Sequence, residues 1–237
     1  MEEERKPTFA TGAEIGSVFP GYFWRFLSFN MAPIPIIHED TDILLVNKPA
    51  GTLTSTGPRE RRPTLWAGVR QYVADSDRRA QAGLVHRLDR EASGLLIFSK
   101  NRHAHESLKR QFFHNTVERV YEAVVSPPPK MPKGTIKTRL SEWSDGSVHV
   151  SRTGKETITE YEVISVDQQT ARLKIRLQTG RKHQIRAHLA HLGCPIVGDE
   201  MYGGSQNKAG LMLAAVQLGF DHPRTGKRMT FRILAPF

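Results

Sequence analysis

Apolar and polar positions follow two patterns along this chain. Between residues 42 and 100 the apolar positions come in short unbroken runs, Ile43-Leu44-Leu45-Val46 and Leu95-Leu96-Ile97-Phe98. Runs of that length bounded by turn residues predict buried strands, over 42–48 and 95–100. Pro49-Ala50-Gly51 closes the first of them. From Glu118 onward strand signals dominate. Glu118 to Ser126 reads as a strand broken by Pro127-Pro128-Pro129. Ile136, Thr138 and Leu140 alternate with polar residues, as do Tyr161 and Val163. Ala171, Leu173, Ile175 and Leu177 alternate with Arg172, Lys174, Arg176 and Gln178. A period of two predicts a sheet with one face in the core and, here, a basic opposite face.

Three segments carry helical spacing instead. Leu65, Val69, Tyr72 and Val73 behind Pro63 predict a helix over 64–73. A basic helix is expected over 102–115, carrying Leu108 and Phe112. A short one over 183–192 places Ile185, His188, Leu189 and Leu192 on one face, with Gly193 as its stop. Two last strands, around 211–220 and 228–234, flank His222-Pro-Arg-Thr-Gly226. The sum is α+β, a large, mostly antiparallel mixed sheet with flanking helices, in one domain over 36–237. Residues 1–35 stand apart as an aromatic-rich arm with Phe19, Tyr22, Phe23, Trp24, Phe26 and Phe29. An arm packed on the domain, an RNA-stacking surface, and a chain start at Met31 are three readings of it. No repeat, heptad run or low-complexity tract is visible.

Composition narrows the partners. The chain has 237 residues, with 34 Lys and Arg against 24 acids and a net charge of +10. A surplus this large points to a polyanionic partner, most simply nucleic acid. The single cysteine, Cys194, excludes a disulfide framework or a CxxC metal site. No apolar run approaches the roughly 20 residues of a membrane span, and Met-Glu-Glu-Glu-Arg-Lys is not a secretory signal. A cytoplasmic, membrane-independent monomer is the expectation.

Candidate chemistry gathers at two places. His86-Arg87-Leu88-Asp89-Arg90-Glu91-Ala92-Ser93-Gly94 runs directly into the strand expected at 95–100. Flanking Arg87 and Arg90 should keep Asp89 ionised, because nearby positive charge favours the charged form. An anionic carboxylate on a rigid strand edge can act as a nucleophile. The second place holds Arg181, Lys182, His183, Arg186, His188 and His191 on a strand–turn–helix unit. A basic helix start beside a sheet is a phosphate-contact surface. His188 and His191, three apart on one helical side, suggest a metal, but no third ligand at suitable spacing and no HExxH pattern support one. Tyr121 alone is a strand aromatic, and Lys48-Pro49-Ala50-Gly51 alone is a turn. GxxxxGK, GxGxxG, GxSxG and zinc-deaminase patterns are all missing.

Four segments then occur in order: Asn47-Lys-Pro-Ala-Gly51, the Asp89 stretch, Glu118-Arg-Val-Tyr121, and Thr179-Gly-Arg-Lys-His-Gln-Ile-Arg-Ala-His-Leu189. Together with Leu211-Met-Leu-Ala-Ala215 and Phe220-Asp-His-Pro-Arg-Thr-Gly226 they resemble the RluA-type RNA pseudouridine synthases over about residues 36–237. The resemblance implies the pseudouridine synthase catalytic fold, action on rRNA or tRNA, and no metal or organic cofactor. It implies Asp89 as nucleophile on the uracil ring or ribose C1′ of a target uridine. Tyr121 would pack on the uracil and help remove the C5 proton, and Arg186 would pair with Asp89. Such an enzyme must take the base out of its stack, and Arg87 is placed to fill the gap. His86, Arg90, Arg181, Lys182 and His183, with the basic sheet face, would contact RNA. Ala92 stands where the family usually has Thr, and Ala214 where a His is common. The match does not reach 1–35, and nothing resembles the S4-type RNA-binding module. A catalytically idle RNA-binding protein and a nucleosidase that cleaves without rejoining are the alternatives.

Overall fold

The computed structural model describes residues 26–27, 34–56, 63–77 and 80–237. Most of the expected aromatic arm, Met31 included, lies outside the described residues. Strands β1 (Phe26–Leu27), β2 (Ile34–Glu39) and β3 (Ile43–Lys48) lead to helix α1 (Leu65–Ser76). Then come β4 (Gly83–Leu84), β5 (Ser93–Ser99), α2 (Arg102–Phe113), β6 (Glu118–Val125), β7 (Lys133–Glu142) and β8 (Val148–Val150). The chain closes with β9 (Lys155–Asp167), β10 (Thr170–Leu177), α3 (Gln184–His191), a 3-10 turn (Glu200–Tyr202), β11 (Leu213–Asp221) and β12 (Arg228–Arg232).

All described strands join one mixed sheet in the order β1-β2-β3-β5-β11-β6-β10-β9-β7-β8, with β12 on β11 and β4 on β5. Every pairing is antiparallel except β5 with β11, where Ser93 and Gly94 lie opposite Ala214 and Ala215. The strands approach closely at that parallel step. Gly94 has φ +114°, and a Cβ there would meet the Ala215 carbonyl oxygen at 2.3 Å. Only glycine fits both demands.

The unbroken apolar runs of β3 and β5 are explained by burial on both faces. Leu44, Val46, Leu96 and Phe98 join one core cluster under α1 and α3, through Leu65, Val69, Ile185 and Leu189. Ile43, Leu45, Leu95 and Ile97 join a second one, with Leu108 of α2 and Phe220. Thr64 caps α1 by accepting from Ala67 N–H at 3.1 Å, and Asn101 caps α2 by accepting from Ala104 N–H at 2.9 Å. Helix α3 stops at Gly193, φ +79°. Its apolar face is narrower than expected, since Ile185, His188 and Leu189 are buried while Leu192 is exposed.

The basic sheet face predicted for β10 is overturned. Lys174 lies opposite Glu122 of β6 and Glu162 of β9, Arg176 lies opposite Glu160, and Arg172 donates to Glu122 at 2.9 Å. Alternation within one strand says nothing about the charges that neighbouring strands set beside it.

Candidate active site

The Asp89 loop is held from beneath by groups that water does not reach. Lys48, fully buried at the end of β3, donates through Nζ to the carbonyls of Pro49 at 3.1 Å, Thr52 at 2.8 Å and Arg90 at 3.1 Å. One ammonium thereby ties the 49–52 turn to the loop. Burial lowers the Lys48 pKa to about 8, while the carboxylates of Asp89 and Glu91 pull it upward. Thr54 adds a second tie, its hydroxyl donating to the Leu88 carbonyl at 2.8 Å. Leu88 and Ala92 are buried, and the Asp89 side chain between them retains 22% exposure.

Helix α3 meets this loop with Arg186, whose side chain is 4% exposed. Its firmest partner is a residue with no role in the sequence reading. Asp199, itself buried, accepts from Nε and from Nη2, each at 2.8 Å. Nη1 is left over. It is buried without a hydrogen-bond partner, 3.6 Å from Asp89 Oδ2 and 3.7 Å from Glu91 Oε2. Burial works against the Arg186 charge, but the bonds and charge of Asp199 outweigh it and raise the pKa. Tyr202 covers the guanidinium at 5.1 Å from its ring centroid. The expected Arg186–Asp89 pairing is thus a proximity of charges, with the two-toothed bond going to Asp199.

His183 precedes α3 in the left-handed region, φ 51°, a placement that costs a non-glycine residue of order 1–3 kcal/mol. It puts Nε2 at 4.0 Å from Asp89 Oδ1 and Nδ1 at 3.0 Å from the Tyr202 hydroxyl. Burial lowers its pKa; Asp89 opposes this, and Arg186 and Lys182 reinforce it.

Together these residues open a cleft of about 380 Å³ lined by Arg87, Asp89, Tyr121, Arg181, His183 and Arg186, with Leu88, Ala92, Leu177, Ile185 and Leu213 as its apolar wall. Tyr121, on β6 opposite Ile175 and Ala215, is buried. Burial raises its pKa, which keeps the phenol neutral near pH 7. A carboxylate, a buried guanidinium with unused donor capacity and a neutral aromatic wall can hold a planar, polar-edged ligand against a nucleophile.

Comparison with known proteins agrees with that reading. A family model described as RNA pseudouridylate synthase matches residues 42–191. The chain belongs to the RNA pseudouridine synthase family. It is 38% identical over 210 residues to the Bacillus subtilis (strain 168) protein described as "Uncharacterized RNA pseudouridine synthase YlyB", covering 86% of this chain and 69% of that one. It is 33% identical to the ribosomal large subunit pseudouridine synthase D of Pseudomonas aeruginosa, over 86% of this chain and 68% of its length. It is also 33% identical to the dual-specificity RNA pseudouridine synthase RluA of Vibrio cholerae, over 81% and 79%. The RluA-type resemblance is therefore sound, and the chain is a pseudouridine synthase, an isomerase acting on RNA. The structure titled Human RNA Pseudouridylate Synthase Domain Containing 4 superposes with a TM-score of 0.71 at 23% identity, over 85% of this chain and 88% of that one, and shares the fold.

Within this synthase some predicted site residues take other places. His86 is absent from the cleft. Its ring stacks on Phe112 at 4.5 Å and its Nε2 accepts from Ile97 N–H at 3.2 Å. Burial, then Arg119 and Lys109, lower its pKa to about 3, so it packs as a neutral ring away from the cleft lining. Arg90 turns outward, half-exposed, 3.6 Å from Glu91. The guanidinium within ion-pair distance of Asp89 is that of Arg186 on α3, and the Lys48 ammonium of β3 lies beneath the loop, while Arg87 lines the cleft without an ion pair to Asp89. Lys182 lies outside the cleft, ion-paired with Glu142. Arg87 and Arg181 are exposed, and neither has a side-chain partner among the described residues. His188 and His191 do not converge. The first is caged by the hydroxyls of Thr138, Thr157 and Thr159 at 2.8–2.9 Å, and the second is exposed.

Lys48, Asp199 and Tyr202 were the residues missed. For two of them a signal existed: a lysine closing an all-apolar strand, and an aspartate after the apolar Cys194-Pro-Ile-Val197, are charges that need buried partners. For Tyr202 there was none.

Proposed function

We propose that this synthase isomerises specific uridines of rRNA or tRNA, with Asp89 as the nucleophile. The observation that carries the reading is the Asp89 carboxylate in the cleft, 3.6 Å from the unpartnered nitrogen of Arg186. The other nearby carboxylate, Glu91, is 45% exposed and outside the cleft wall. A relative named for the ribosomal large subunit supports the rRNA class, and one named for dual specificity supports action on more than one RNA target.

A base inside a helix cannot reach Asp89, so the target uridine is extruded. Its ring lies on Tyr121 and the apolar wall, while Arg87 stands at the mouth to occupy the gap in the stack. The Asp89 carboxylate forms a covalent bond to the substrate, and the C1′–N1 bond breaks. The base turns, the C1′–C5 bond forms, Asp89 is released, C5 loses a proton and N1 gains one. Nothing is added or removed overall. Attack on the ring and attack on C1′ place the same demands on the site: an anion kept oriented, and a freed base kept from leaving. Arg186 supplies the first through Nη1, which can donate to Asp89 or to a uracil carbonyl without giving up Asp199. Tyr121 supplies the second through its face, with its hydroxyl as a relay for the C5 proton.

The test is tritium release from RNA labelled at C5 of uridine, on separate unmodified rRNA and tRNA pools, with free uracil assayed in parallel. Release without free uracil is expected. Free uracil in proportion to tritium would replace the synthase with a nucleosidase, and silence on both pools would refute the assigned RNA classes.

A further inference from the structure

The turn joining β7 to β8 carries a residue that the Asp89 chemistry does not use. Trp143 is 60% exposed, yet the turn is firmly built. Trp143 N–H donates to the Ser147 carbonyl and Gly146 N–H to the Trp143 carbonyl, both at 2.9 Å. Asp145 accepts from the Ser147 backbone at 2.9 Å and from its hydroxyl at 2.6 Å. A large aromatic held in water by an ordered turn offers a face on which a base could stack.

A chain of aromatic contacts links that residue to the cleft. Trp143 packs tilted against His149 at 4.6 Å between ring centroids, His149 is 6.1 Å from Tyr202, and Tyr202 is 5.8 Å from His183, which borders Asp89. The Tyr202 hydroxyl fastens the hairpin to the cleft wall, accepting from Val148 N–H at 2.8 Å while bonded to His183. Charge points the same way. The acids of the turn are already engaged, Asp145 by Ser147 and Glu142 by Lys182, whereas Arg181 at the cleft edge has no side-chain partner among the described residues.

We propose that Trp143 is a stacking platform for a nucleobase flanking the target uridine in the same RNA strand. The inference rests on the synthase reading. Extruding a uridine into the cleft brings its neighbours to the mouth with one stacking partner lost. A flat indole on an ordered hairpin replaces that partner without regard to base identity, while Arg181, joined by Lys182 once it exchanges Glu142 for RNA, lies beside the strand's phosphates.

The experiment compares wild type, Trp143→Ala, Trp143→Phe and an Arg181→Ala/Lys182→Ala double variant. Tritium release and filter binding are measured on unmodified large-subunit rRNA and tRNA transcripts over a range of salt. Trp143→Ala should raise KM and Kd about tenfold with kcat held within about twofold and the salt slope unchanged. Trp143→Phe should recover most of the affinity, and the double variant should flatten the salt slope. Wild-type KM and Kd in Trp143→Ala would overturn the platform. An equal loss in both Trp143 variants with a lowered melting temperature would overturn it in favour of a structural role. A wild type that neither binds nor acts on either RNA would instead bring down the synthase reading and the platform with it.

Discussion

The two faces of the central sheet hold charge in opposite ways. Across the outer face of β6, β10 and β9, Glu122, Arg172, Lys174, Arg176, Glu160 and Glu162 are numerous, solvated and set against one another. Beneath the cleft the charges are few and buried: Lys48 on three carbonyls, Arg186 on Asp199, and one guanidinium nitrogen left over beside Asp89, with the exposed Arg87 and Arg181 in the lining above them. An exposed pair is worth about 0–1 kcal/mol, and a buried one costs about 3–5 kcal/mol to break by removing a partner. Density of charge therefore does not mark the working face. What distinguishes it here is the desolvated Arg186, whose spare nitrogen lies beside a carboxylate in the cleft.

The contrast can be broken in steps. The largest effect belongs to Asp89→Asn, expected to reduce tritium release at least about 10⁴-fold while leaving RNA affinity near wild type in filter binding. Next is Asp199→Asn, which removes one charge-assisted tooth from Arg186 and frees it to turn. A loss of about 10²-fold in kcat and about 3 kcal/mol in urea unfolding is expected. An unchanged kcat in a destabilised protein would show that Asp199 supports the fold without orienting the site.

Much of this was legible in the sequence, and the gaps have physical causes. The runs of β3 and β5 gave their strands because burial on both faces leaves no polar position. Helix α3 was readable from its spacing and from Gly193. Asp89, Tyr121 and Arg186 were named and do converge on one cleft. Proximity in sequence does not give contact. Arg90 follows Asp89 directly yet its side chain faces solvent, His86 opens the same motif yet stacks on Phe112, and the basic stripe of β10 lies among the acids of its neighbouring strands. Partners across the fold, Lys48 to the Arg90 carbonyl and Arg186 to Asp199, are set by tertiary packing, which no spacing encodes.

A smaller effect sharpens the same comparison through pH. Burial, with some help from His191, lowers the His188 pKa to about 4. An unfolded chain takes that proton near 6.5, the folded one only near 4, so between these values the unfolded state binds more protons and stability falls as pH falls. About 2 kcal/mol should be lost through His188 between pH 7 and pH 5, read as a shift in the urea midpoint that His188→Gln diminishes. Smallest of all, Lys174→Gln on the outer face should change stability by less than about 0.5 kcal/mol.

The most direct measurement sets the two faces side by side: tritium release at saturating RNA by Asp89→Asn and by Lys174→Gln in one assay, with wild type as reference. Silence from the first with RNA still bound, and wild-type release from the second, is the predicted result. Release by Asp89→Asn at the wild-type rate would contradict the assignment of the chemistry to the cleft carboxylate.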